Sequence, residues 1–191
     1  GQSTSGGMHV EMGYAIAEAA RDRGASVVLV TAPTSLPPLP GIEVIGVTTA
    51  EQMFEATRAV INHADALVMA AAVADYRPST PAEQKIKKEQ SALTIHLERT
   101  VDILGSLSGG EVRVGFAAES SELERNAQAK LAAKGLHLIV ANDITATDAG
   151  FGSESNRVTI IDRDGGIDRL PLQSKREVAE HVLDRVVQLL H

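Results

Sequence analysis

MGYAIAEAARDRGASVVLVT, from Met12 to Thr31, is the stretch on which the fold turns. Met12, Ile16, Ala19, Ala20 and Arg23, with Ala15 beside them, recur at helical spacing, and Gly24 supplies the stop. Ser26 to Thr31 (SVVLVT) is then a short β-branched run without polar alternation, the pattern of a parallel strand buried on both faces. A helix feeding such a strand is a building block of an α/β sheet.

The same alternation continues along the chain. Prolines at 33, 37, 38 and 40 make Thr31 to Gly41 an irregular connection. Ile42 to Val47 reads as a strand. Thr48 and Glu51 have capping-box spacing before a helix striped by Ala50, Met53, Phe54 and Ile61. Ala66 to Ala70 is a buried-strand candidate, and a long loop follows from Ala71 to about Ala92. Leu93 to Leu97 alternates as a strand, Val101 to Leu107 suggests a short helix, and Val112 to Phe116 returns to strand. Ser121 and Glu124 have the spacing to open a helix through Leu131. Leu136 to Ala141 is strand-like, and Asn142 to Asn156 is a loop. Val158 to Ile161 and Ile167 to Leu172 flank DRDGG, a hairpin turn. Ser174 and Glu177 cap a last helix striped by Val178, Val182, Val186 and Leu189. The fold class expected is α/β: a Rossmann-like parallel sheet with helices on both faces, plus a small antiparallel element acting as a flap or dimer contact. One domain over residues 12–191 is expected, with residues 1–11 as a linker or altered loop.

Composition narrows the function. With 191 residues the chain can bury one substantial core, and an apolar fraction of 43% is ordinary for a globular protein. A net charge of −7 argues against a nucleic-acid footprint. The absence of cysteine excludes disulfides, zinc–thiolate sites and cysteine nucleophiles. The six histidines lack metal-ligand spacing, so no metal site built by protein alone is expected. No membrane span and no secretory signal is visible, and a cytoplasmic protein is the default expectation.

Ligands on parallel sheets bind beyond the strand C-termini. That rule selects the loops after Ala70, Phe116 and Ala141. In the first, Ala71 and Ala72 permit close backbone approach, Asp75 is an acceptor for a sugar hydroxyl or base donor, and Lys85, Lys87 and Lys88 offer charge to phosphate oxygens. The commoner meaning of such a lysine run is a solvated face, and Asp75 serves equally as a turn residue. Lys130 and Lys134 lie four apart on one helix face, a repulsive spacing unless something compensates. A bound polyphosphate would do so; two solvated lysines near a helix C-terminus are the plainer alternative. Phe116 is either core or a base-stacking platform. Asn142 either orients a ligand or begins a turn. Gly6 and Gly7 precede the first helix, yet GxGxxG is absent, so a dinucleotide fingerprint is unsupported.

Together, MGYAIAEAARDRGASVVLV, AAVADYRP (Ala71 to Pro78), EQKIKK (Glu83 to Lys88), VGFAAE (Val114 to Glu119), AKLAAKGLHLIVAND (Ala129 to Asp143) and GFGSESN (Gly150 to Asn156) resemble the phosphopantothenate–cysteine ligase family. In most bacteria this is the C-terminal half of a bifunctional flavoprotein of coenzyme A synthesis. The blocks occur in the family's order over nearly the whole chain. The resemblance implies CTP-dependent ligation of 4′-phosphopantothenate to L-cysteine through an acyl-cytidylate, with Mg²⁺ accompanying CTP, FMN only where a decarboxylase half is attached, and a homodimer. It implies that Asp75 contacts the cytidine nucleotide and that Lys85 is catalytic, steadying the phosphates. Val101, Asp102, Ile103, Leu104 and Phe116 would line the nucleotide site, and Lys130 and Lys134 would hold the triphosphate. Binding without full turnover is the alternative.

One departure stands out. The family begins with a strand and a TAGGT-like turn, then an ISNxSSGKMG loop whose asparagine serves the second half-reaction. Here the matching stretch is SGGMHVEMG, Ser5 to Gly13, without that asparagine and with Glu11 in the lysine's place. The expectation is a sheet lacking one central strand and weaker binding of 4′-phosphopantothenate, with the CTP contacts retained.

Overall fold

The computed structural model describes residues 4–71, 76–78, 97–119, 122–143 and 155–191. Its centre is a pair of parallel strands, β6 (Val112–Glu119) and β7 (Leu138–Asp143). Apolar residues at both parities make them strands with two inward faces. Val112, Val114, Leu138 and Val140 belong to one core, and Ala117, Ile139 and Ala141 to the other. Each face therefore needs its own helical cover.

The first face is covered by α1 (Thr4–Asp22) and α5 (Lys175–Leu190), through Met12, Ile16, Ala19, Val178, Val182 and Val186. The second is covered by the four-residue α3 (Ile103–Ser106) and by α4 (Leu123–Ala133), through Leu104, Ala127 and Leu131. Beside β6 runs β3 (Ala66–Met69), also parallel. On the other flank β9 (Val158–Asp162) pairs antiparallel with β7, and β10 (Ile167–Arg169) with β9. The sheet order is β10-β9-β7-β6-β3.

The parallel pair β1 (Val28–Thr31) and β2 (Glu43–Gly46) forms a separate sheet. Among the described residues no ladder joins it to β3. Helix α2 (Ala50–Val60) follows β2, and a turn of 3-10 helix at Ile61–His63 leads into β3. β4 (Tyr76–Pro78) and β5 (Leu97–Arg99) form a small antiparallel pair, and β8 (Ser155–Asn156) and β11 (Gln173–Ser174) another. The α/β class with helices on both faces is thus the observed one.

Several expectations change in detail. The hairpin at DRDGG is present, but it extends the main sheet rather than forming a separate layer. Val158, Ile160 and Ile161 are buried on opposite faces, and only an interior sheet position satisfies both. The first helix begins at Thr4, so Gly6 and Gly7 lie inside it and leave no helix N-terminus there for an anion. Glu11 pairs with Lys175 at 2.8 Å, and Arg23 bridges to Glu180 and Asp184 at 2.6 and 2.7 Å, stapling α1 to α5. Leu189, assigned to the buried stripe of the last helix, is exposed. The predicted Leu93 to Leu97 strand lies outside the described residues except for Leu97.

Helix caps shift by a residue. α2 is capped by Thr49 with Gln52 at the third position, not by Thr48 and Glu51; Thr48 also donates to the Gln52 side chain at 2.8 Å. α4 has no side-chain cap: Glu122, at φ 46°, precedes its first turn, and Ser121 lies outside the described residues. The Ser174–Glu177 capping box is formed as read. None of the described helices is long and apolar enough to cross a membrane.

His137 links the strands by accepting the Arg113 backbone N–H at Nδ1, 3.1 Å away, which requires that nitrogen unprotonated. Burial, and then the charges of Arg163 and Arg113, hold its pKa below the ordinary 6.5. His9 on α1 is also held low by burial, against a hydrogen bond to the Ala70 backbone that acts the other way. The unfolded chain takes up these protons near 6.5 while the fold resists them. The stability they contribute is complete above that value and falls away as pH drops from it toward the lowered folded pKa values. We expect the urea midpoint to be lower at about pH 5.5 than at about pH 7.5, with the slope reduced in His137→Asn. Identical pH dependence in wild type and variant would exclude His137 as a contributor.

Candidate nucleotide site

The site is built outward from the end of α4. The sequence AAKGL stops this helix in a Schellman turn: Gly135, at φ +59°, lets its N–H reach Ala132 O at 3.3 Å and the Leu136 N–H reach Leu131 O at 3.0 Å. Leu131 and Leu136 both enter the core beneath. With that face anchored, Asn126, Lys130 and Lys134 fall one helical turn apart along the flank of α4.

Each lysine meets a carboxylate from a different element. Lys130 Nζ lies 2.6 Å from Glu119 Oε1 at the C-terminus of β6, and Asn126 Nδ2 donates to Glu119 Oε2 at 3.3 Å. Lys134 Nζ lies 3.2 Å from Asp102 Oδ1. The repulsive four-residue spacing is therefore offset by protein carboxylates as the chain stands. Sequence reasoning assigned that compensation to a ligand or to water, and it overlooked Glu119 although the residue closes the VGFAAE block. An acidic residue ending an otherwise buried strand was the available signal.

Asp102 has a second duty. It is the N-cap of α3, and the same Oδ1 accepts the Gly105 N–H at 3.1 Å. A Cβ on Gly105 would stand 2.6 Å from Asp102 Oδ2, so a side chain there would push the capping carboxylate away. Ile103 and Leu104 are buried, and the Ile103 carbonyl accepts the Leu107 N–H at 3.1 Å. Val101 is half-buried. The carbonyls of Leu104 and Leu107 accept from the Arg113 guanidinium on β6, the latter at 2.8 Å. Arg113 therefore fastens α3 to the sheet. It too went unread, although an arginine inside a buried strand is a signal that it has a specific partner.

The remaining predicted residues divide. Phe116 is half-buried against the α1/α5 core, on the opposite face of β6 from Glu119, Lys130 and Lys134. Asn142 is half-buried on β7, opposite Ala118 on one side and Val158 on the other. Ala71 is exposed just beyond β3. Ala72, Asp75 and Lys85 lie outside the described residues. The structure thus brings together Asp102, Lys130 and Lys134, while Phe116 stands across the sheet. Elsewhere, an open depression of about 430 Å³ is lined by Glu122, Leu123, Glu124, Arg125, Arg157, Thr159 and Arg169. Arg125 and Arg169 there pair with Glu122 and Glu124 at 2.7 and 2.6 Å.

A sheet with parallel strands covered on both faces, carrying cationic side chains beside the C-terminal end of a central strand, defines a Rossmann-like α/β domain. The chain belongs to the family described as the DNA/pantothenate metabolism flavoprotein C-terminal domain, whose model matches residues 3–190. It is 45% identical over 183 residues to the coenzyme A biosynthesis bifunctional protein CoaBC of Bacillus subtilis (strain 168), covering 94% of this chain and 45% of that protein. It therefore spans about half the length of the curated relatives it matches. The crystal structure of the C-terminal domain of CoaBC superposes with a TM-score of 0.78 at 38% identity, covering 94% of this chain and 82% of that one. A histidine-to-alanine mutant of Cab2 in complex with phosphopantothenate-cysteine shares the fold, with a TM-score of 0.72 at 16% identity over 94% of this chain and 78% of that chain.

The two duties of Asp102 are separable. Asp102→Asn keeps a capping oxygen and loses the ion pair, which is half-exposed and worth little. Asp102→Ala loses both. The expected losses in urea unfolding are a few tenths of a kcal/mol for asparagine and about 1 kcal/mol for alanine. Equal losses would mean that the ion pair, not the cap, holds α3.

Proposed function

We propose that this chain ligates 4′-phosphopantothenate to cysteine with CTP, a step of coenzyme A synthesis. The observation that carries the reading is the pair of ammonium groups of Lys130 and Lys134, held on one flank of α4 beside the C-terminus of β6 and the cap of α3. Family membership and the relatives' printed roles in coenzyme A biosynthesis support it. So does the phosphopantothenate-cysteine named in the Cab2 complex, a compound that such a ligation would yield.

In this reading the carboxylate of 4′-phosphopantothenate attacks the α-phosphorus of CTP and pyrophosphate leaves. The amine of cysteine then attacks the carbonyl of the acyl-cytidylate. The amide bond forms, a proton is lost from nitrogen, and CMP departs. Lys130 and Lys134 hold the triphosphate and offset the charge that builds on its oxygens. The backbone from Val101 to Leu104 and the ring of Phe116 are assigned to the nucleotide, with Asp75 as its polar contact and Lys85 steadying the phosphates as the acyl-cytidylate forms. Among the described residues no cluster of His, Asp and Glu is placed to hold a metal ion. Mg²⁺ enters as the companion of the triphosphate, and no step is assigned to it. A homodimer and a cytoplasmic setting belong to the same reading.

Binding without turnover is the second reading. It is favoured by the stretch Ser5 to Gly13, which is helical and contains no asparagine. One assay separates the two: CTP, Mg²⁺, 4′-phosphopantothenate and cysteine, with pyrophosphate and amide product followed together. Full turnover gives both in equal amounts, whereas pyrophosphate without amide means arrest at the first half-reaction. Lys85→Gln is expected to suppress pyrophosphate release, and Lys134→Ala to raise the KM for CTP about tenfold. A chain whose thermal midpoint is unmoved by saturating CTP does not have this site.

A further inference from the structure

We infer that Glu119 is a positioning residue for Lys130, fixing its ammonium beside the C-terminus of β6 so that the remaining N–H groups face an incoming polyphosphate. The inference rests on the nucleotide reading above and extends it to a residue to which that reading gives no role.

Strand parity sets the carboxylate in place. Ala117 and Glu119 project to the face of β6 that α4 covers, and Ala117 sits in the core beneath that helix. The Glu119 side chain is only 10% exposed, whereas that of Lys130 is 48% exposed. A carboxylate so enclosed is stable only with donors, and both of its oxygens have one: Lys130 Nζ at 2.6 Å and Asn126 Nδ2 at 3.3 Å. Those donors lie one turn apart on α4, whose buried side, Ala127 and Leu131, is locked into the core. Glu119 is thus gripped from two points on a fixed helix.

The ammonium is differently placed. It has three donors on a long, flexible stem, and the bond to Glu119 uses one of them. That bond restrains the stem while the exposed remainder of the head stays available. Fixing a flexible cation before the ligand arrives lowers the ordering cost of binding.

A carboxylate beside a cation could instead act as a competitor, occupying the lysine until an anion displaces it. The two roles predict opposite signs. Removing a competitor, and with it a negative charge near the phosphates, tightens binding of an anion. Removing a positioner loosens binding despite the more favourable field. The enclosure of Glu119 and the exposure of Lys130 select the second.

The test uses the full chain with CTP as the probe. Glu119→Gln, nearly isosteric, is expected to raise the Kd and KM for CTP about tenfold, with a smaller change in kcat and a retained cooperative thermal transition. In a Lys130→Ala background the same change should add less than about twofold, because its effect passes through the lysine. Asn126→Ala, which leaves the charge intact and loosens one side of the grip, should weaken CTP several-fold, and it serves if the glutamine variant folds poorly. Unchanged or tighter CTP binding by Glu119→Gln overturns the inference, as does an undiminished penalty in the Lys130→Ala background; either result leaves the nucleotide reading standing. If Lys130→Ala alone leaves CTP affinity unchanged, both fall.

Discussion

Burial of β6 and β7 on both faces is the constraint from which the rest follows. Val114, Leu138, Val140 and Ile139 are almost wholly removed from water, yet adjacent residues point in opposite directions. No one-sided packing can satisfy them, so helices must cover both faces and polar chemistry is driven to the strand ends. Gly115 tightens the arrangement, since a Cβ there would stand 2.7 Å from Leu136 Cδ1. The absence of that carbon lets the residue after the Schellman turn settle against the sheet, and this in turn sets where α4 presents its lysines.

Those lysines show how a cationic flank is tolerated in an acidic protein. Neither ion pair is a large source of stability, because Lys130 is half-exposed and the Asp102–Lys134 pair is more open still. Their importance is geometric. Glu119 comes from a strand and Asp102 from a helix cap, so the charges on α4 are tied to two elements distant in sequence. Arg113 adds a third tie by holding α3 through its carbonyls. The flank is therefore an assembled surface rather than a local run of charge.

The sequence made legible whatever depends on periodicity. The stripe Met12, Ile16 and Ala19, the buried residues Val178, Val182 and Val186, the Ser174–Glu177 box and the DRDGG turn all reflect local rules acting unopposed. The misreadings arose where tertiary packing overrode those rules. β6 continues through Ala117, Ala118 and Glu119, poor strand formers, because they pair with Ala141, Asn142 and Asp143. Thr48 and Thr49 are followed by Glu51 and Gln52, and local spacing cannot choose between two overlapping boxes. In the candidate site, spacing drew notice to Lys130 and Lys134 but by itself favoured two solvated lysines, and it could not show their partners, since Glu119 and Asp102 meet them only through the fold. That Phe116 faces away from them follows from strand parity, which was readable had the strand's far end been known. Asp75 and Lys85 rest on their place in the loop after β3 and on motif resemblance.

The separation of β1 and β2 from the main sheet bears on how the molecule comes apart. With no backbone ladder to β3 among the described residues, this pair is attached chiefly through side chains, those of α1 and α2 included. Val28 and Val44 remain partly open to water. Such a unit has its own opening equilibrium. Amide protons of Val28 to Thr31 and Glu43 to Gly46 should exchange with solvent before those of β7, while the β6–β7 centre is still intact.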